Sequence, residues 1–353
     1  TRTRRVLLTI FLLITGYLVY FFASFDGSIF ERPVYSTTFY DRDGKPLRTF
    51  LSGEQTYGRP CRLPDISPHF LRAIVLIEDK TFYDHKGVVL SSLFRAAKQN
   101  ISENKIISGG STITMQLAKL VFRHDKRTVF NKISEIFFAL KFEMHMSKTD
   151  ILEHYINRLP FGNMVYGVDE AARFYFRKAP SQLSLNQSIY LALIPKSPTR
   201  YNPGKHKKHL EKRWKLILDI FKERNHITED EYKRAQSEGI TFHMDRHPFL
   251  APHFIEMVKQ GFDGKELPEK VHTTLDYRIQ KELEGIVREH LIRLETFNVR
   301  SAAAIIIDNR THEITGFLGA PDYFDREKDG NVNLATSLRQ PGSTLKPFVY
   351  CLA

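Results

Sequence analysis

From Val6 to Phe25 the chain reads VLLTIFLLITGYLVYFFASF, without one charged residue. About 20 apolar residues are what a helix needs to cross the hydrocarbon core of a bilayer, so a membrane-spanning helix is the first expectation. A cleaved signal peptide is the alternative, but its apolar stretch runs only about 7 to 15 residues and ends at a small-x-small site. Phe22, Ala23, Ser24 and Phe25 resemble such a site poorly. Arg2, Arg4 and Arg5 precede the run, whereas Asp26 and Glu31 follow it. By the positive-inside rule the short N-terminus stays in the cytoplasm, and the chain from Asp26 onward lies outside.

The 353 residues leave room for two domains or one large one, and a hydrophobic share of 42% supports a sizeable core. A net charge of +12 favours an anionic partner, whether nucleic acid, an acidic membrane or a phosphate-bearing substrate. With the soluble mass outside, no nucleic acid partner is expected and anionic lipid head groups take its place. Cys61 and Cys351 stand far apart without metal-ligand spacing, so they indicate neither a disulfide framework nor a zinc site. Thr1 in place of an initiator Met, and an end at Cys351, Leu352, Ala353 without a polar tail, make the chain read as a fragment.

After the span, Val34 to Phe50 reads as short strands around a turn at Asp41, Arg42, Asp43, Gly44. From Leu71 to Arg224 the pattern is helical: Leu71, Ile74, Val75 and Glu78 share one face, and Ile133, Phe137, Leu140 and Met144 share another. Pro195, Pro198 and Pro203 mark a loop before a basic helix that begins with Lys205 to Lys208 and runs through Trp214 and Ile220. His247, Pro248 and Pro252 look like a connector, and Val271 to Leu294 like a further amphipathic helix. Beyond Arg300 a β-hairpin is expected, with Ala303 to Ile307 and Glu313 to Leu318 as its arms. Four segments follow: a stub and transmembrane helix (1–30), a mainly helical domain (31–225), a linker region (226–298) and the α/β start of another domain (299–353).

Chemistry concentrates in a few runs. Glu78, Asp79, His85 and Gly87 end an apolar helix beside Phe82 and Tyr83, where partial desolvation raises a carboxylate's proton affinity toward that of a general base. A polar helix terminus with a capping His explains that cluster equally well. Gly109, Gly110, Ser111, Thr112 and Thr114 open a helix whose free backbone N–H groups suit a phosphate or diphosphate, with Gln116 and Lys119 adding a donor and a cation one turn on. An ordinary N-cap explains one of those hydroxyls but not the run. Lys132 and Glu135 share a helix face, as a surface ion pair would. In Lys148 to Asn157 the apolar Ile151, Leu152, Tyr155 and Ile156 surround Glu153 and Asn157, an arrangement that reads as support.

The order and joint occurrence of these runs resembles the glycosyltransferase domain of class A penicillin-binding proteins, glycosyltransferase family 51. That family's patterns are E-D-x-x-F-x-x-H-x-G, G-x-S-T-I-x-x-Q, R-K-x-x-E and I-L-E-x-Y-x-N, and all four occur here in order, with Asn131 where many members have Arg. Asn157 to Asn163 and Leu193 to Pro198 look like the 1C type. The resemblance implies a mainly α, lysozyme-like fold behind a transmembrane helix. It implies inverting transfer on lipid II, with Glu78 as general base, Glu135 as a second catalytic residue, and release of undecaprenyl diphosphate. Asp79, His85, Ser111, Thr112, Gln116, Lys119, Lys132, Glu153 and Asn157 are the implied substrate-binding residues. A divalent cation (Mg or Mn) near Glu135 is the implied metal, and no organic cofactor is expected. The implied partners are lipid II, the nascent glycan strand, the membrane and other cell-wall synthesis proteins. The implied place is the bacterial inner membrane, single-pass, with the catalytic domains outside.

Arg339 to Phe348 (RQPGSTLKPF) places Ser343 and Lys346 one turn apart, so the amine can activate the hydroxyl. This resembles the S-x-x-K motif of penicillin-binding transpeptidases, whose S-x-N and K-T-G elements this chain does not contain. Penicillin-type inhibitors are therefore expected only where that domain is complete. A lysozyme-like hydrolase would also use carboxylates on a helical scaffold, but leaves the anchor, the phosphate-suited run and Ser343 unexplained. A scaffolding pseudoenzyme draws support from Asn131 and is opposed by the retention of Glu78 and Glu135.

Overall fold

Many helices in this chain begin where a side chain replaces a missing backbone partner. Thr112, Thr128, Ser147, Ser184, Asn202, Thr228 and Asp276 each stand at an N-cap and accept from a backbone N–H two or three residues on. The computed structural model describes residues 2–30, 35–53, 55–95, 110–124, 126, 128–244 and 247–352, and the side chains at 2, 3, 5, 6, 8, 10, 14 and 206 fall outside it. Of the expectations above, Glu31, Val34, Gly109 and the side chains of Arg2 and Arg5 lie outside the described residues.

In chain order the elements are α1 (Arg2–Ala23), β1 (Thr37–Tyr40), β2 (Pro46–Phe50), β3 (Tyr57–Gly58), α2 (Pro68–Glu78), α3 (Ile113–Val121) and α4 (Val129–His145). Next come α5 (Lys148–Ile156), β4 (Pro160–Gly162), β5 (Val165–Tyr166), α6 (Val168–Phe176), α7 (Leu185–Leu193), α8 (Pro203–Glu223) and α9 (Glu229–Ser237). The rest are α10 (Pro252–Gln260), β6 (Lys270–His272), α11 (Tyr277–Leu294), β7 (Ala304–Ile307), β8 (Ile314–Leu318) and α12 (Lys346–Leu352). They pack as two units, residues 1–36 with 51–246 and residues 37–50 with 247–353.

The first unit is mainly helical, with one small sheet in the order β3-β5-β4. Helix α2 packs on α7, α7 on α8, and α3 on both α4 and α5. A single core runs through Phe70, Ile74, Phe82, Leu117, Phe142, Tyr155 and Leu191. Phe142 is fully buried and meets Phe30 edge-on at 5.0 Å. Phe142→Ala is expected to destabilise this unit by about 3–5 kcal/mol, the usual cost of emptying such a site. Chemical denaturation measures it, and a loss below about 1 kcal/mol would mean that the site collapses instead of leaving a cavity.

On α4 the apolar stripe lies outward. Glu135, Ala139 and Phe142 are buried, while Ile133, Phe137 and Met144 of the expected face are exposed. Periodicity finds a face but not the side it turns to. The end of α1 packs on this helix: Phe21 meets Phe138 at 5.3 Å, the His145 ring stacks on Phe25 at 4.8 Å, and its Nε2 lies 2.7 Å from the Phe22 carbonyl. Arg158 donates to the Phe30 carbonyl at 2.9 Å, securing the chain that leaves α1. Among the described residues no helix is long and apolar enough to cross a membrane.

In the second unit β1 pairs antiparallel with β2 around the expected turn and parallel with β6. Asp41 Oδ1 holds that turn by accepting from the N–H groups of Asp43 and Lys45 at 3.0 and 2.7 Å. Because β1 finds its parallel partner at Lys270 to His272, residues 37–50 pack with the second unit, whereas segmentation by sequence put them at the front of the helical domain. The helix expected from Val271 begins at Tyr277, since Val271 is a strand residue opposite Phe39 and Asp276 supplies the cap. The expected hairpin forms as β7 and β8.

Candidate active site

Helix α2 stops at Glu78, and the next residue, Asp79, is its C-cap, with backbone turned to φ −156° and ψ 85°. Asp79 is buried, and a buried carboxylate needs partners. Its Oδ2 accepts from the N–H of Ile113, the first residue of α3, at 2.9 Å and meets His85 Nε2 at 2.9 Å. His85 Nδ1 accepts from the Gly87 N–H at 2.9 Å, so the imidazole carries its proton on Nε2, toward Asp79. Gly87 sits at φ 84°, and a Cβ there would come within 2.9 Å of the Ala139 carbonyl oxygen. Its carbonyl accepts the Thr112 hydroxyl. Asp79 and His85 thus join the end of α2 to the start of α3, and the structure gives both a positioning part.

The start of α3 is less open than its sequence implies. The N–H of Ile113 is taken by Asp79, and that of Met115 by the Thr112 hydroxyl at 3.1 Å. Ser111, just outside the helix, instead accepts from Lys132 Nζ at 2.5 Å, and the same ammonium bonds Glu135 Oε2 at 2.8 Å. Glu135 is buried and Lys132 partly exposed, so this ion pair is not the solvated surface pair that i,i+3 spacing commonly gives. Lys119, in the last turn of α3, has no side-chain ion pair among the described residues.

Glu78 lies at the junction of three helices. Its Oε2 accepts from Gln116 Nε2 at 2.9 Å, and Gln116 Oε1 accepts the hydroxyl of Tyr155, on α5, at 3.0 Å. Its Oε1 is buried and has no hydrogen-bond partner among the described residues. A buried carboxyl oxygen in that state is an acceptor without a donor. Burial, together with the charges of Glu78 and Asp79, pushes the Tyr155 phenol far above its ordinary range, so it remains a protonated donor.

A second network, whose members the sequence did not join, braces the same region. Thr114 donates to Glu143 Oε1 at 2.6 Å, and Lys148 Nζ bonds that oxygen at 2.7 Å and the His85 carbonyl at 2.6 Å. Neither Glu143 nor Lys148 stands beside a site residue in sequence, which hides their part.

The remaining expected residues lie elsewhere. Glu153 Oε2 accepts from the Leu63 N–H at 2.9 Å. Asn157 accepts from the Cys61 N–H at 3.0 Å and donates to the Cys61 carbonyl at 2.8 Å, so both side chains hold the 61–63 segment. Asn157→Ala is expected to cost about 1–3 kcal/mol of folding stability by stranding those backbone groups, read from the denaturation midpoint. No change in midpoint would contradict that bracing role. Ser343 lies in a single 3-10 turn and Lys346 at the first position of α12, both exposed; the Lys346 N–H bonds the Ser343 carbonyl. No side-chain hydrogen bond joins the two among the described residues. Nor do the described residues include a group of three His, Cys, Asp or Glu able to hold a metal ion, and Glu135 is already committed to Lys132.

A family model described as Transglycosylase matches residues 43–222. The chain is 36% identical over 312 residues to penicillin-binding protein 1C of Escherichia coli (strain K12), covering 88% of this chain and 40% of that protein. It is 30% identical over 357 residues to penicillin-binding protein 1F of Bacillus subtilis (strain 168), covering 97% and 49%. It is 36% identical over 261 residues to penicillin-binding protein 1A of Pseudomonas aeruginosa, covering 72% and 31%. The chain thus spans less than half the length of these curated relatives. Among solved structures, penicillin-binding protein 1A from Haemophilus influenzae aligns with a TM-score of 0.45 at 19% identity, over 90% of this chain and 52% of that one.

Proposed function

Because the chain belongs to the transglycosylase family, we propose that its helical unit is a peptidoglycan glycosyltransferase that polymerises lipid II into glycan strands. The observation that carries this reading is Glu78 Oε1, buried and without a hydrogen-bond partner among the described residues. That oxygen takes the proton from the 4-hydroxyl of an incoming lipid-linked disaccharide. The freed oxygen attacks C1 of the growing strand's terminal sugar from the face opposite the leaving group. The C1–O bond to undecaprenyl diphosphate breaks, and the diphosphate departs with the electron pair. It is a good leaving group, so charge stabilisation matters more than protonation. Lys132, held between Ser111 and Glu135, supplies the fixed cation, and Lys119 a second. Among the described residues no group of three His, Cys, Asp or Glu could hold a metal ion, so no step is assigned to Mg or Mn.

The substrate's lipid tail puts the reaction at a bilayer surface. What supports a membrane anchor is the sequence itself, the uncharged run Val6 to Phe25 of about 20 residues. Its Phe11, Leu13 and Tyr20 are widely exposed, as are Phe130 and Met144 on α4 and Leu90 and Phe94 before α3. We assign these to the membrane, with the N-terminus cytoplasmic and the catalytic unit outside. Ser343 and Lys346 belong, on this reading, to a serine transpeptidase domain of the full-length protein, which penicillin-type inhibitors would engage where that domain is complete.

A stoichiometric assay tests the reaction type. A transferase releases one undecaprenyl diphosphate per disaccharide joined, at a rate that rises with added acceptor. Release that ignores the acceptor and yields free disaccharide would assign the site to hydrolysis.

A further inference from the structure

Resting on the assignment of Glu78 as the base, we infer that Tyr155 is a positioning residue for the transfer, acting through Gln116 to aim the Glu78 carboxylate. The geometry is a chain of two hydrogen bonds, Tyr155 hydroxyl to Gln116 Oε1 at 3.0 Å and Gln116 Nε2 to Glu78 Oε2 at 2.9 Å, ending at the free Oε1. Each link has one direction. Gln116 turns its NH2 toward Glu78 Oε2 and its carbonyl toward the Tyr155 hydroxyl. Tyr155 must then donate, and its raised pKa keeps the proton in place. Its ring is wholly buried in the helical core, so the hydroxyl is a fixed point from which the amide is oriented.

The amide matters because the carboxylate has freedom to lose. Glu78 is the last residue of α2, and its only side-chain hydrogen bond among the described residues is the one from Gln116. Without the phenol, Gln116 Oε1 loses its donor and the amide can reverse, which would set Oε1 against the carboxylate. Glu78 would then leave the orientation in which Oε1 meets the sugar hydroxyl. The base keeps its chemistry and loses its aim, and small displacements of a catalytic group are costly. Tyr155 does not touch the sugar: the proton still moves from the 4-hydroxyl to Glu78 Oε1.

Tyr155→Phe keeps the ring and removes one oxygen. The full chain in detergent, with labelled lipid-linked disaccharide pentapeptide as substrate, is expected to show kcat lowered about tenfold and KM changed less than about twofold. The decisive readout is coupling. In a Glu78→Gln background the same substitution is expected to cost nothing further, because the group it aims is gone. Gln116→Leu is expected to behave alike and serves if Tyr155→Phe melts early. Full kcat in Tyr155→Phe, or an equal loss in both backgrounds, would overturn the relay while leaving Glu78 as the base. Undiminished polymerisation by Glu78→Gln alone would overturn the base assignment and the relay together.

Discussion

Glu78→Gln lowers the rate of polymerisation by on the order of a hundred- to ten-thousand-fold, the usual worth of a general base. The substitution keeps the side chain's size and its place at the end of α2, and its carbonyl can still accept from Gln116. What it removes is the ability to hold a proton from the attacking hydroxyl. The loss is therefore expected in kcat, with KM little changed, since the sugar and diphosphate contacts remain. Single-turnover kinetics with labelled substrate measure it, and a loss below about tenfold would remove Glu78 from the role of base.

Lys132→Met is expected to lower kcat by about a hundred- to a thousand-fold, the range for removing one fixed charge-stabilising donor. It also has a folding consequence. Glu135, 8% exposed, pairs with Lys132, and a stranded buried carboxylate destabilises unless it takes up a proton. The double variant Lys132→Met with Glu135→Gln separates the two effects. Stability, followed by thermal melting, returns toward that of the parent, and turnover does not. If turnover returned with stability, the ammonium would be a structural partner of Glu135 and not the cation facing the diphosphate.

How much of this was legible in sequence depended on how local each interaction is. Lys132 and Glu135 lie one helical turn apart, so their pairing followed from spacing alone, though its burial did not. Glu78, Asp79 and His85 lie within one short run, and their grouping was visible there. The direction of their bonds was not: Asp79 accepts from the N–H of Ile113, across 34 residues. That long-range bond fills an N–H that the Gly-Ser-Thr run, taken alone, left free for phosphate. Tyr155 looked like core, and it is core; only the packing of α3 on α5 brings its hydroxyl to Gln116. Glu153 and Asn157 fitted either support or substrate contact, and the backbone of Cys61 and Leu63 takes both side chains. The stripe on α4 was legible as a face, while its outward orientation is a property of the neighbours. Residues 37–50 announced a hairpin through their turn, but the partner that draws them into the second unit lies more than two hundred residues on.

The central claim is that this chain joins sugars with Glu78 as the base. The most direct measurement is to incubate the purified chain in detergent with labelled lipid-linked disaccharide pentapeptide and separate the products by size. The account predicts a ladder of glycan polymers from the parent chain and at least a hundredfold less polymer in the same time from Glu78→Gln. Free disaccharide, or substrate left unchanged by the parent chain, would contradict it.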